Sequence, residues 1–227
     1  MTMKPRQQLG RVTEASGACL ELYEHDGAYT ILCDGQVLMD SRTHASEYQM
    51  GQLAMQGWDF RTPPRILIGG LGLGYTRKGV LENAPPEAAV CVVESSQALV
   101  TWNHRCLQSL NGHLLSDPRV SLEVKDVGQH VREAGESAYH VILLDVDNGP
   151  VAMVEAGNRF LYARSGLRAI HNTLAEGGRA VFWSASQDDA FETRLRQAGF
   201  LVEAVPAKRY PSARRAACVL YVAQGKD

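Results

Sequence analysis

The spacing of apolar residues changes several times along the chain, and each change predicts a different kind of element. Residues 1–18 are polar and aperiodic, with Pro5 and Gly17 among them, and read as a loose lead-in. From Cys19 the period becomes two: Leu20 and Leu22 alternate with Glu21, and apolar runs follow at 29–33 and 37–39. Asp26-Gly27 and Asp34-Gly35 separate these runs, and Asp-Gly between short strands is a strong hairpin signal, so this stretch predicts a β-meander. A helix follows, with Ser41 or Thr43 as its cap, reaching about Gln56 and closed by Gly57 and the Pro63-Pro64 pair.

Beyond residue 64 periods of two and 3.6 alternate. Strands are predicted at 65–69, 89–94, 120–125, 140–145 and 179–184, with helices at 75–83, 97–110, 128–134, 159–174 and 188–198. Helix 97–110 sets Leu99, Trp102, Cys106 and Leu110 on one face, a core-packing stripe. Strict strand–helix alternation implies a doubly wound, mostly parallel sheet covered by helices on both faces, a Rossmann-type α/β architecture. Residues 201–207 and 216–223 are two strands with no helix between them, so the last strand returns antiparallel. The chain divides into residues 1–56, holding lead-in, meander and linking helix, and residues 57–227, the Rossmann domain. The meander is too small to bury its own faces and must pack on the main domain or on a second copy of itself.

In such sheets ligands bind beyond the carboxyl ends of the strands, which confines the candidate chemistry. The first strand ends in Gly69-Gly70-Leu71-Gly72-Leu73-Gly74-Tyr75. Glycines there allow positive φ and close ligand approach, and the helix start that follows offers unpaired N–H groups. The dinucleotide fingerprint G-x-G-x-x-G is missed by one residue, because Tyr75 stands at its last glycine. The G-x-G-x-G form, carried by Gly70, Gly72 and Gly74, is similar to that of class I S-adenosylmethionine-dependent transferases. Glu94 ends the second strand, 20 residues beyond Gly74, and suits either a ribose diol or the capping of the next helix. Asp126, after the third, suits an adenine amine or a helix cap. Asp145 and Asp147 open the turn Asp145-Val-Asp-Asn-Gly-Pro150 after an apolar strand, either as a carboxylate pair with perturbed pKa values or as ordinary Asx turn chemistry. Ser184 ends the fifth strand.

Composition narrows the classes further. The 227 residues are 45% hydrophobic, ample for a packed core, and carry a net charge of −2. Basic residues cluster no further than pairs such as Arg214-Arg215, which excludes a nucleic-acid surface. Apolar runs fall short of the ~20 residues that span a bilayer, and the first residues lack an apolar signal core, so a cytoplasmic location is expected. Cysteines 19, 33, 91, 106 and 218 form no C-x-x-C pair and no H-E-x-x-H is present, so reduced thiols and no metal are expected.

Taken together, the pieces resemble the spermidine synthase (polyamine aminopropyltransferase) family over roughly residues 20–223. The resemblance rests on the meander, Ile66-Leu-Ile-Gly-Gly-Leu-Gly-Leu-Gly74, Val92-Val-Glu94, Asp117-Pro-Arg-Val, Asp126, Tyr139-His-Val-Ile-Leu-Leu-Asp145, Leu161-Tyr162 and the closing hairpin. It implies a methyltransferase-like Rossmann domain after a small β domain, a homodimer, and decarboxylated S-adenosylmethionine as co-substrate with a small amine as acceptor. Carried over by position, the glycine loop holds the methionine-derived part, Glu94 with Ser95 the ribose, and Asp126 with Val127 the adenine edge. Asp145 matches the aspartate that accepts the attacking amine's proton, with Glu47, Tyr48, Asp147 and Asn148 on the acceptor side. Three positions depart from the family pattern. Asn148 stands where the second strand-four aspartate is expected, with Asp147 one residue early; Glu47 stands where the polyamine-contacting tyrosine is expected; and the glycine loop lacks the acid that grips the amine end of the cofactor. The missing acid weakens the case for the decarboxylated donor and leaves S-adenosylmethionine itself as the alternative. A small-molecule methyltransferase and a non-catalytic nucleoside-binding or assembly protein of the same fold are the competing readings.

Overall fold

The computed structural model describes residues 5–57, 62–146 and 158–225. The chain opens with four antiparallel strands in sequential order: β1 (Gln7–Thr13), β2 (Cys19–His25), β3 (Ala28–Cys33) and β4 (Gln36–Asp40). Both Asp-Gly turns take left-handed backbone at both central residues, Asp26 at 51° and Gly27 at 77°, Asp34 at 50° and Gly35 at 77°. This is the primed turn that matches strand twist. β1 corrects the expectation of a loose lead-in. Its residues are exposed or half-buried, so no apolar alternation marks it, and its order comes from pairing with β2.

The larger sheet runs in the order β10-β11-β9-β8-β5-β6-β7. Its elements are α1 (Ala45–Met55), β5 (Arg65–Gly69), α2 (Tyr75–Leu81), β6 (Ala89–Glu94), α3 (Gln97–Arg105), β7 (Val120–Val124), α4 (Val127–Glu133), β8 (Tyr139–Leu144), α5 (Arg159–Tyr162), α6 (Arg164–Thr173), β9 (Leu174–Ser184), α7 (Asp189–Gln197), β10 (Phe200–Ala207) and β11 (Cys218–Gly225). β5 to β9 are parallel, whereas β11 pairs antiparallel with both β9 and β10. The architecture is the expected methyltransferase-like α/β fold behind a small β unit.

Period two explains the two-sided core. Ile66 and Ile68 pack with Met50, Val80, Val92 and Val181 on one face, while Leu67 packs with Ile142, Leu144, Phe182 and Phe191 on the other. Such strands read as continuous apolar runs because water meets neither face. The small sheet closes its own face on the large unit, with Leu20, Leu22 and Ile31 against Leu73, Leu99 and Trp102.

Three boundaries shift. α1 starts at Ala45, and its N-cap is His44, which supplies no side-chain cap, so neither Ser41 nor Thr43 caps it. α3 stops at Arg105, leaving Cys106 and Leu110 beyond the helix. The helix expected at 159–174 is two, because Ala163 is extended (φ −80°, ψ 159°).

Candidate active site

The glycine loop after β5 takes a path no other residue type would fit. Gly70, Gly72 and Gly74 have φ of 95°, 46° and 81°. A Cβ at Gly70 would strike the Asp145 backbone oxygen, and one at Gly72 would press on Met39 Sδ at 3.1 Å. The loop is held from beneath: Asn103 Nδ2 donates to the Gly72 carbonyl and Asn111 Nδ2 to that of Leu73, each at 2.9 Å. Arg77 is buried under it and donates to the Asn111 carbonyl at 2.6 Å, its pKa lowered to about 10 by burial.

Glu94 belongs to the same support. Its Oε2 accepts from the Leu71 N–H at 2.9 Å and its Oε1 from the Ser96 N–H at 2.8 Å. Burial pushes its pKa up, and these backbone donors oppose the shift. Ser96, not Glu94, caps α3, accepting from the Leu99 N–H at 3.2 Å and donating to Glu14 at 2.5 Å. The backbone N–H groups of Gly72 and Ser95 also lower the pKa of Glu94, which thus ties the glycine loop to the start of α3. Ser95 is exposed beside it. Asp126 caps α4, accepting from the Gln129 N–H at 2.6 Å, and Val127 packs where a Cβ on Gly69 would point.

A cavity of about 450 Å³ opens on the other side of the loop. Gly72, Gly74, Glu47 and Asp145 all line it, with Leu71, Leu73 and Thr76 from the loop and α2, and Val37 to Asp40 from β4. Glu94, Ser95, Asp126 and Val127 lie off this cavity, toward β6 and β7. Tyr48 is also absent from its walls: one residue beyond Glu47 it is turned a quarter of the way round α1, and its hydroxyl donates to Glu82 at 2.6 Å. Asp147 and Asn148 lie outside the described residues.

The chemistry of the cavity lies in two half-buried carboxylates. Asp145 Oδ2 accepts from the Thr76 hydroxyl at 2.8 Å, and its backbone N–H donates to the Gly69 carbonyl at 3.0 Å. Burial drives its pKa up, against the pull of Thr76. Glu47 is raised to about 7, first by burial and next by the charge of Asp145. Ser46 donates to Glu47 Oε2 at 2.5 Å, and Arg209 eases the strain. Asp40 is different: Arg42 forks onto it at 2.9 and 2.6 Å and holds it below its ordinary value. Two acids that resist ionising together make a site that welcomes a cation and stores a proton near neutrality.

Several of these residues escaped the reading by strand ends. Thr76 is two residues past the last glycine, and Trp183 stands one before the strand-end Ser184, which is itself buried and donates to the Ser186 carbonyl at 2.6 Å. Arg209 and Tyr210 lie between β10 and β11, in a loop where only Tyr210-Pro211 hints at a fixed turn. Among the described residues no group of three His, Cys, Asp or Glu is placed to hold a metal, and no helix is long and apolar enough to cross a membrane.

No protein-family model matches the chain, and no curated protein matches its sequence. Solved structures match across nearly its whole length. A spermidine synthase in complex with the transition state analogue AdoDATO superposes with a TM-score of 0.72 at 16% identity, covering 97% of this chain and 73% of that one. The spermidine synthase from Thermotoga maritima gives 0.69 at 16%, with the same coverage. A probable spermidine synthase from Corynebacterium glutamicum gives 0.66 at 19%, covering 95% of this chain and 79% of that one. The chain thus has a methyltransferase-like α/β fold. Within it, the fold is spermidine synthase-like, the small antiparallel sheet included.

Proposed function

We propose that the chain is a spermidine synthase-like transferase that moves an aminopropyl or related alkyl group from S-adenosylmethionine or its decarboxylated form to a small amine. The observation that carries this reading is the pairing of Asp145 and Glu47 in one cavity floored by a glycine loop. The donor supplies a carbon bonded to a positive sulfur, which leaves as a neutral thioether. Gly70, Gly72 and Gly74 let backbone lie against it, with Glu94 and Ser95 toward the ribose and Asp126 and Val127 toward the adenine. An alkyl amine of pKa about 10 reaches the site as a cation, and the acid pair binds it in that form. Asp145 then takes the proton, Oδ2 being held by Thr76 and Oδ1 left for the amine. The freed lone pair forms the N–C bond, the C–S pair goes to sulfur, and the proton leaves Asp145 for water. Positioning and proton removal are the whole of the protein's task, because the leaving group needs no acid.

In this reading residues 1–56, the lead-in, meander and linking helix, and residues 57–227, the Rossmann domain, both supply acceptor-side residues. Asp147 and Asn148 serve the acceptor, and the protein is a cytoplasmic homodimer that buries the meander. Methyl transfer on the same frame is favoured by one observation: the loop turns Leu71 and Leu73, and no acid, toward the cavity. Calorimetric titration with S-adenosylmethionine, its decarboxylated form and methylthioadenosine tests the reading, with single-turnover assays on a panel of amines. Binding of a sulfonium nucleoside with transfer to an amine is the expected result. Absence of nucleoside binding would reject it, and binding without any transfer would leave a non-catalytic protein.

A further inference from the structure

The acid pair faces a cation of the protein's own. Arg209 lines the cavity in which Glu47 and Asp145 sit, and it is exposed. Among the described residues its guanidinium makes no ion pair or side-chain hydrogen bond; it lies 5.8 Å from the Trp183 ring centroid, and its charge draws the Glu47 pKa down. A linear diamine gains nothing from such a group and is repelled by it.

The backbone ties the segment that carries Arg209 to the elements that carry both acids. The Arg209 carbonyl accepts from the Ala45 N–H at 3.1 Å, at the start of the helix that carries Glu47 two residues later. Trp183 follows Phe182, which pairs with Leu144 across β8 and β9, so the indole stands beside Asp145 in the next register position. The sheet order then gives the ligand a direction. Glu94 and Asp126 end β6 and β7 on one side of Asp145, whereas Trp183 and Arg209 belong to β9 and the loop after β10 on the other. The arginine therefore lies on the side away from the nucleoside.

We infer that the acceptor is an amino acid rather than a diamine, its reacting amine between Glu47 and Asp145 and its carboxylate on Arg209 against the Trp183 ring. Guanidinium and carboxylate match as a two-pronged pair, and an aromatic face beside the guanidinium holds it in place. The transfer balances as before: nitrogen gains the carbon, sulfur keeps the electron pair, and Asp145 removes the proton, while the carboxylate is unchanged. This inference rests on the transferase reading, so its test includes binding that needs no turnover.

Equilibrium binding is measured in the presence of methylthioadenosine for pairs matched in chain length: ornithine with putrescine, lysine with cadaverine, and 4-aminobutyrate with butylamine. Transfer to each is followed by mass spectrometry. The amino acid of at least one pair is expected to bind more tightly than its partner, by roughly 10- to 100-fold, the worth of a charge-assisted contact. Arg209→Ala is expected to erase that ratio, Arg209→Lys to restore part of it, and Arg209→Glu to invert it. Amines that bind and react equally well with or without a carboxylate would overturn the inference while leaving the transferase reading intact. So would an Arg209→Ala protein that loses affinity for S-adenosylmethionine but not for its decarboxylated form, since the carboxylate would then be the donor's. If neither nucleoside nor amine binds, both readings fall together.

Discussion

Asp145 and Glu47 are both carboxylates, yet their surroundings give them separate tasks. Asp145 is held by Thr76 and anchored by its own backbone to β5, which suits a proton acceptor of fixed position. Asp145→Asn keeps the shape and loses the base, so turnover is expected to fall by ~10²–10⁴ with nucleoside affinity unchanged, as single-turnover kinetics and calorimetry will show. Glu47 offers a test of sign. Its pKa is raised to about 7 from an ordinary 4.5, so between these values the folded protein holds a proton that the unfolded chain has released. Stability contributed by this group is present below the unfolded value and lost as pH rises through about 7. Denaturant unfolding at pH 5 and pH 8 is expected to show Glu47→Gln flattening this slope, with a relative gain at pH 8 on the order of 2 kcal/mol. Unchanged slope in the variant would remove Glu47 as the stored acid.

At the scale of elements, the pair depends on how closely α1 approaches α2. A Cβ on Gly79 would strike the Tyr48 carbonyl, and one on Gly51 would meet the Thr76 carbonyl at 2.5 Å. The helices touch backbone to backbone there, and Glu47 and Thr76 sit beside that contact. Gly79→Ala is expected to cost ~1–3 kcal/mol by overpacking, and to lower turnover by moving Glu47 away from Asp145; denaturation and kinetics measured on one preparation check both. This contact also marks where the sequence stopped being readable. β5 to β9 were legible because burial on two faces writes a continuous apolar run, and the Asp-Gly turns because only such residues suit their backbone. β1 was not, since an exposed strand ordered by its partner leaves no apolar trace. The split at Ala163 was hidden for the opposite reason: α5 and α6 are both apolar on the sheet side, so the stripe runs through the break. Strand ends led to Asp145 and Glu94, but no spacing rule leads to Arg209, which reaches the cavity only through tertiary folding.

Across the whole molecule the small sheet and the large one meet at the glycine loop, with Met39 of β4 against Gly72 and β1 arching over α3, where a Cβ on Gly10 would strike the Trp102 indole. The glycine loop and β4 thus form walls of the same cavity. Removing residues 1–16 is expected to uncover Trp102, so that its fluorescence shifts to the red and the protein loses cooperative unfolding; an unaltered spectrum would count against that contact. The position of β11 has a consequence for how the molecule matures. It follows β10 in the chain, yet it is inserted between β9 and β10, and each waits for it as a neighbour. During translation β5 to β8 can assemble before residues 218–225 leave the ribosome. Trp183 and Arg209, on either side of the missing strand, come into place only when residues 218–225 emerge. Trp183 and Arg209 therefore reach the cavity after Glu47 and Asp145, and a chain halted at Ala217 would lack the strand that β9 and β10 share as a neighbour.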